Sequence, residues 1–252
     1  MTAILETRGV EVRYGGLLAI QGVSLAVEQG ELLGLIGPNG AGKTTMLRAI
    51  TGVLRPSAGQ ILLDGRDISR LSTAKRARVG LGLSQQIVRP FSAMSVLDNV
   101  ALAAGHAKTR RPLRALLTYG RAKETMRAWE LLSLVGIDAY AEGPARNLPL
   151  GVLKRLEVAR ALALDPRVLL LDEPLAGLNS QEANLLADTI RRLQHSGLTV
   201  VLIEHNLSEV LRIADRLLVL DNGRVIGEGE PRAVMGDPDV RAAYIGITDV
   251  SP

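Results

Sequence analysis

Apolar residues come in short bursts along this chain, and the period of the bursts changes from one region to the next. Val10-Glu11-Val12-Arg13-Tyr14 alternates apolar with polar, the period of a half-buried strand. Ser24-Leu25-Ala26-Val27 is a second short strand, which Glu28-Gln29-Gly30 turns into the next run. Residues 59–65 form another β patch with a turn signal at Asp64-Gly65. Residues 32–36, 78–84, 167–171 and 198–203 are largely apolar, as expected of strands buried on both faces. Two further strands, 217–220 and 225–227, flank Asp221-Asn222-Gly223, a strong hairpin signal. Between about 94 and 164 the period becomes helical. There Met126, Trp129, Leu132 and Val135 are expected on one face, with Gly136 as terminator. Asn179-Ser180-Gln181-Glu182 predicts an N-cap with its reciprocal Glu, opening a helix that Gly197 ends. Apolar strands alternating with helices predict an α/β fold with a mostly parallel sheet and ligands at the strands' carboxyl ends.

One stretch between strand and helix carries chemistry. Gly37-Pro38-Asn39-Gly40-Ala41-Gly42-Lys43-Thr44-Thr45 fits G-x-x-x-x-G-K-[ST], with Leu32-Leu33-Gly34-Leu35-Ile36 before it and a helical run after it. The glycines let successive N–H groups converge on phosphate oxygens, and the helix adds the positive end of its dipole. Lys43 supplies charge for the outer phosphates, and the Thr44 hydroxyl is placed to ligate Mg²⁺. Asp172 and Glu173 follow the apolar run Val168-Leu169-Leu170-Leu171. Alone, such a pair reads as a solvated strand end. Beside a phosphate loop, Asp172 reads as a magnesium ligand and Glu173 as the acceptor of a proton from attacking water. His205 holds the matching place after its own strand and reads as a γ-phosphate donor that positions the water. Gln86, or Gln85 beside it, offers an amide to Mg²⁺ or to that water. Tyr14, just before Gly15-Gly16, is a candidate stacking surface for adenine, with core packing as the alternative. His106 and His195 lack such a setting and read as surface residues.

Composition narrows the classes. The 252 residues suffice for one large α/β domain or a core with a lobe, and 47% hydrophobic with 22% charged is ordinary for a globular protein. One Trp, one Phe and four Tyr leave few stacking platforms, which argues against single-stranded nucleic acid as a ligand. The net charge of +4 permits a phosphate ligand or an anionic surface without demanding either. The absence of cysteine excludes disulfide and thiol chemistry. No N-terminal signal pattern is expected in residues 1–10, and no run approaches the ~20 apolar residues of a membrane span. A basic cluster, Arg110, Arg111, Arg114, Arg121 and Lys123, reads first as a solvated face and second as a contact for lipid headgroups or an acidic partner.

The ordered set of Tyr14, the phosphate loop, Gln86, Leu148-Pro149-Leu150-Gly151, Leu171-Asp172-Glu173, Ala176-Gly177-Leu178-Asn179 and His205 resembles the ATP-binding subunit of ABC transporters over almost the whole chain. The resemblance implies a P-loop NTPase (RecA-like) core with an antiparallel β subdomain, spanning 1–87 and 161–252, and an inserted helical subdomain at about 88–160. It implies ATP with Mg²⁺, the metal held by Thr44, Asp172 and Gln86. It also implies head-to-tail dimers, in which each ATP lies between one subunit's phosphate loop and the other's signature motif. The region Ala176-Gly177-Leu178-Asn179 matches the family's D-loop. Tyr14-Gly15-Gly16-Leu17-Leu18-Ala19-Ile20 and the ending 237–246 look like ATPases of branched-chain amino acid importers. That implies transmembrane permease subunits, a solute-binding protein outside the membrane, and a site on the cytoplasmic face of a bacterial-type inner membrane. The alternative is a non-transport or lipopolysaccharide-export type of ATPase acting on another protein assembly. One departure stands out: the family's Leu-Ser-Gly-Gly-Gln reads Leu148-Pro149-Leu150-Gly151-Val152 here. Pro149 has neither hydroxyl nor N–H for a γ-phosphate, and the following helix is expected from about Leu153. A second, different ATPase subunit with a fuller signature is therefore the expected partner, with a homodimer as the other option.

Overall fold

A computed structural model describes residues 3–84, 90–106 and 121–245. Gln85, Gln86 and the arginines at 110, 111 and 114 lie outside the described residues. The chain opens with two long antiparallel strands, β1 (Ala3–Tyr14) and β2 (Leu17–Glu28). With β4 (Ala58–Leu63) and β5 (Arg66–Asp67) they make a four-stranded sheet in the order β2-β1-β4-β5. The second sheet has six strands in the order β10-β9-β3-β8-β7-β6. Its members are β3 (Leu32–Ile36), β6 (Leu81–Ser84), β7 (Val168–Asp172), β8 (Thr199–Ile203), β9 (Arg216–Asp221) and β10 (Arg224–Gly229). Every pair from β9 to β6 is parallel, and only the β9–β10 hairpin is antiparallel. Asn222 and Gly223 at its tip take φ of 45° and 76°, the left-handed pair that a two-residue hairpin turn requires.

The strands in the middle of the large sheet are apolar throughout because both of their faces are covered. Side chains alternate across a strand, so Leu33, Leu35, Val168, Leu170, Val201 and Ile203 enter one core with the small sheet and helix α1 (Lys43–Thr51). Leu32, Ile36, Leu169, Leu171, Val200 and Leu202 enter the other, beneath the remaining helices. Those helices are α3 (Val96–Ala104), α4 (Ala122–Leu134), α5 (Leu150–Leu162), α6 (Ser180–His195), α7 (Leu207–Ile213), α8 (Pro231–Gly236) and α9 (Pro238–Ile245), each of which adds side chains to this second core. A short helix α2 (Thr73–Arg78) precedes β6. No helix among the described residues is long and apolar enough to cross a membrane.

Three local expectations need correction. Residues 78–84 are not one strand: Arg78 closes α2, Gly80 turns the chain at φ 112°, and β6 starts at Leu81. On α4 the buried face is Glu124, Ala128, Leu131 and Leu132, continued by Val135, while Met126 is 65% and Trp129 39% exposed. Leu132 and Val135 were placed correctly; the other two lie more than 60° round the helix from the buried line, so spacing by threes alone drifted off the core. The helix expected from Leu153 begins at Leu150, with Pro149 as its N-cap. Gly136 takes φ 71° after α4, and the capping box on Asn179 and Glu182 opens α6, both as expected.

The helix behind the phosphate loop ends on a buried cation. Arg76 is 1% exposed, and its guanidinium donates to the carbonyls of Ala49 and Ile50 at 2.6 Å, of Ser69 at 2.8 Å and of Leu71 at 3.0 Å. The first two are among the last carbonyls of α1, which have no partner within the helix. A cation there also meets the negative end of the helix dipole. Replacing Arg76 with Met is expected to cost about 2–4 kcal/mol, since buried carbonyls lose their donors, and to lower Tm by roughly 5–15 °C. Lys cannot reach four carbonyls at once, so R76K should recover less than half of the loss in a thermal melt. A melting curve unchanged in R76M would contradict the assignment.

Candidate functional site

Parallel strands bring their carboxyl ends to one edge, and β3, β7 and β8 deliver there the loop 37–42, Asp172-Glu173 and Glu204-His205. Together they line a cleft of about 290 Å³, formed by Ala19, the loop from Asn39 to Thr45, Glu173 and His205. The loop's shape depends on glycine at two points. Gly37 sits at φ 147°, and a Cβ there would lie 2.0 Å from the Leu220 carbonyl oxygen. Gly42, the N-cap of α1, takes φ 105°, with Ile20 and the Ala19 carbonyl too close for any side chain. The hairpin tip fixes the loop from outside: the Gly223 N–H donates to the Ala41 carbonyl at 2.9 Å, and the Gln21 N–H donates to the Gly223 carbonyl at 2.9 Å.

Lys43 is 5% exposed, and its ammonium donates to the carbonyls of Gly37 at 2.6 Å and Pro38 at 2.9 Å. It thus folds back over its own loop. Burial pulls its pKa down from the ordinary lysine value, opposed by the nearby carboxylates of Glu173 and Asp172. Asp172 is held the opposite way: burial first, and Glu173 second, push its carboxyl above the usual range. Its Oδ1 is buried and finds no hydrogen-bond partner among the described residues. A buried, unpaired carboxylate oxygen at a strand end, with the Thr44 hydroxyl in the first turn of α1, is a donor set suited to a hard cation.

Glu173 and His205 meet directly, Oε1 to Nε2 at 2.6 Å. An ionised carboxylate only accepts, so the imidazole donates from Nε2. Glu173 takes φ 49°, a left-handed conformation that costs a non-glycine residue on the order of 1–3 kcal/mol. Its own peptide groups hold it there. The N–H donates to the Ile203 carbonyl at 2.9 Å, and the carbonyl accepts from the Lys154 ammonium at 2.8 Å. Glu204 completes the support: its carboxylate accepts from the Leu175 N–H at 2.6 Å and from the His205 N–H at 3.2 Å.

The cleft lining therefore joins the phosphate loop, Lys43, Thr44, Thr45, Glu173 and His205, and Asp172 stands directly before Glu173. Tyr14 is 45% exposed at the β1–β2 turn and is not part of that lining. Leu148 to Val152 and Ala176 to Asn179 are not part of it either. Within the first of these, Pro149 and Leu150 are exposed, whereas Gly151 and Val152 are buried within their own chain. Lys154 and Glu204 went unrecognised in the sequence. Glu204 follows a buried apolar strand, where a charge is itself a signal, whereas Lys154 is one of four charges on its helix, beside Arg155, and nothing local singles it out.

These features define a P-loop ATPase cassette. A family model described as ABC transporter matches residues 20–176, and the chain belongs to that family as an ATP-binding subunit and ATPase. It is 39% identical over 257 residues to the high-affinity branched-chain amino acid transport ATP-binding protein BraF of Pseudomonas aeruginosa, covering 96% of this chain and 98% of that one. It is 37% identical to the lipopolysaccharide export system ATP-binding protein LptB of Acidithiobacillus ferridurans, over 98% of each. Among solved structures, the crystal structure of the ADP conformation of an ATP-binding cassette of an ABC transporter superposes with a TM-score of 0.85 at 31% identity, covering 98% of this chain and all of that one. Cassettes of this family bind nucleotide, dimerise and work with transmembrane permease subunits.

The supporting carboxylate has a pH signature. Burial, with Glu173 adding repulsion, raises Glu204 from 4.5 to about 7, against the opposing hydrogen bonds from Leu175 and His205. The folded state therefore binds this proton more tightly than the unfolded state, and the stability the group contributes falls as pH rises from about 4.5 to about 7. Glu204→Gln should remove that decline. The wild-type Tm minus the variant Tm is expected to drop across this window and level off above it; a difference independent of pH would refute the assignment.

Proposed function

We propose that this chain powers solute uptake by hydrolysing ATP at the cleft, with Glu173 as general base and His205 as the donor that positions the attacking water. The observation that carries this reading is the Glu173–His205 contact at 2.6 Å at the edge of the phosphate loop. The loop N–H groups and the N-terminus of α1 receive the phosphates, Lys43 exchanges its loop carbonyls for phosphate oxygens, and Tyr14 stacks on adenine. Thr44 and Asp172, with Gln86, would hold Mg²⁺, which when bound offsets the charge of the outer phosphates. With nucleotide in place, the Glu173 carboxylate takes the proton from water while His205 turns its Nε2–H toward the γ-phosphate.

The reading extends to the assembly. Two cassettes meet head to tail, each ATP capped by the partner's signature helix and D-loop, so Leu148, Pro149, Leu150, Gly151 and Val152 with Ala176, Gly177, Leu178 and Asn179 serve the partner's nucleotide. In this reading the helical subdomain is inserted at about 88–160, and 1–87 with 161–252 supply the core and the antiparallel β subdomain. Because Pro149 and Val152 depart from the family's signature, the partner is a different ATPase subunit with a fuller motif. The dimer sits beneath permease subunits on the cytoplasmic face of the membrane, with a solute-binding protein on the far side. The importer-like start and end of the chain, together with the likeness to BraF, favour branched-chain amino acids or a related small organic solute as cargo. The likeness to LptB supports the second reading, an export-type ATPase.

Glu173→Gln is expected to cut turnover by roughly 10²–10⁴ while ATP remains bound, the usual worth of a general base. Near-normal hydrolysis in this variant would remove Glu173 from the role. Lys43→Ala should abolish binding in a nucleotide titration. Mass spectrometry of what co-purifies with the tagged chain from detergent-solubilised membranes separates the assemblies. Two multi-span permeases with a second ATPase support import; a lipid-export assembly or a soluble scaffold overturns it.

A further inference from the structure

The first turns of α5 lie against the segment 173–182 at three points. A Cβ on Gly177 would meet Leu150 Cδ2 at 3.0 Å, and one on Gly151 would meet Glu182 Oε1 at 2.7 Å. Glu182 belongs to the capping box that starts α6. One turn further on, Lys154 donates to the Glu173 carbonyl at 2.8 Å. Positions 150, 151 and 154 fall within about 100° of one another around a helix, so they form one face. That face therefore touches the general base, the D-loop and the cap of the next helix.

The third contact differs in kind from the other two. Lys154 is 5% exposed, and its ammonium feels the charges of Glu204, Glu173, Asp172 and Glu157, carboxylates at or just beyond the ends of β7 and β8 and on its own helix. Placing a charge in such a setting is costly unless it is paired and hydrogen-bonded. An apolar residue would fill the same space without that cost. One thing the cation supplies is a charged donor at 2.8 Å to the Glu173 carbonyl, which also accepts from the Ala176 N–H at 3.3 Å. The two peptides that flank Glu173 are thus tied to different elements, the first through its N–H to the Ile203 carbonyl and the second through its carbonyl to α5.

We propose that Lys154 is a positioning residue that couples the two ATP sites of the dimer, locking the Glu173 peptide of one site to the signature helix that serves the other. The proposal rests on the head-to-tail reading given above. When the partner's nucleotide draws the signature helix in, Lys154 carries the displacement to the Glu173 carbonyl and sets the carboxylate for its own water. Misplacement in the reverse direction leaves both sites idle.

The test uses the whole complex, purified through a tag on this chain, with Lys154→Met and Lys154→Arg. In the cold, without hydrolysis, photolabelling by azido-ATP should be unchanged in K154M, because Lys154 does not line the cleft. Turnover should fall between about tenfold and 10²-fold at unchanged KM, the scale of a misplaced catalytic group. Label trapped with vanadate should fall on both ATPase chains, and K154R should restore most of the turnover and the label. In a self-dimer, two copies tagged to different sizes, one of them K154M, give the same count. Normal turnover, label lost from the K154M chain alone, or lost cold labelling without rescue by Arg would each overturn the coupling. A wild-type complex that traps no label refutes the ATPase reading itself, and is recognised before any variant is made.

Discussion

The nucleotide site depends on one residue held in a backbone conformation that it does not prefer. Glu173 sits in the left-handed region immediately before Pro174, with no glycine to ease the geometry. Hydrogen bonds from neighbouring elements hold it: β8 takes its N–H, α5 supplies a cation to its carbonyl, and the Glu204 carboxylate fixes Leu175 just beyond. The result aims a carboxylate at the mouth of the phosphate loop, where His205 closes on it.

Charge is distributed around this turn in a way that keeps the cleft ready for an anion. Burial lowers Lys43 and raises Asp172, so each is less comfortable with its charge than it would be in water. A phosphate and a hard cation would relieve both at once, the lysine by opposite charge and the aspartate by ligation. The same logic explains why Lys43 folds back on Gly37 and Pro38, carbonyls that any nucleotide can outcompete with full charge.

Much of this was legible in the sequence, and the parts that were not have a common cause. The phosphate loop, the strand ending in Asp172 and the capping box at Asn179 are local patterns, and each was placed to within a residue or two. The α4 face failed at Met126 and Trp129 because periodicity gives a helix's stripe but not which neighbour covers it. The strand expected at 78–84 failed because an arginine and a glycine that end a helix look, one residue at a time, like the approach to a strand. Lys154 and Glu204 were missed because their partners lie far away in the chain, 19 residues from Lys154 to Glu173 and 29 from Glu204 to Leu175. A charge's purpose is written in its surroundings, and those are tertiary.

The clasp between the β9–β10 tip and the phosphate loop has a consequence for how the protein comes into being. The nine residues from Gly37 to Thr45 are contiguous, yet the groups that fix them are not. Gly223 reaches the Ala41 carbonyl, and Gln21 grips Asn222 across 201 positions. A ribosome delivers the binding motif early and its fastening late. Until the β9–β10 hairpin emerges, the growing chain carries a phosphate loop without these contacts that frame it.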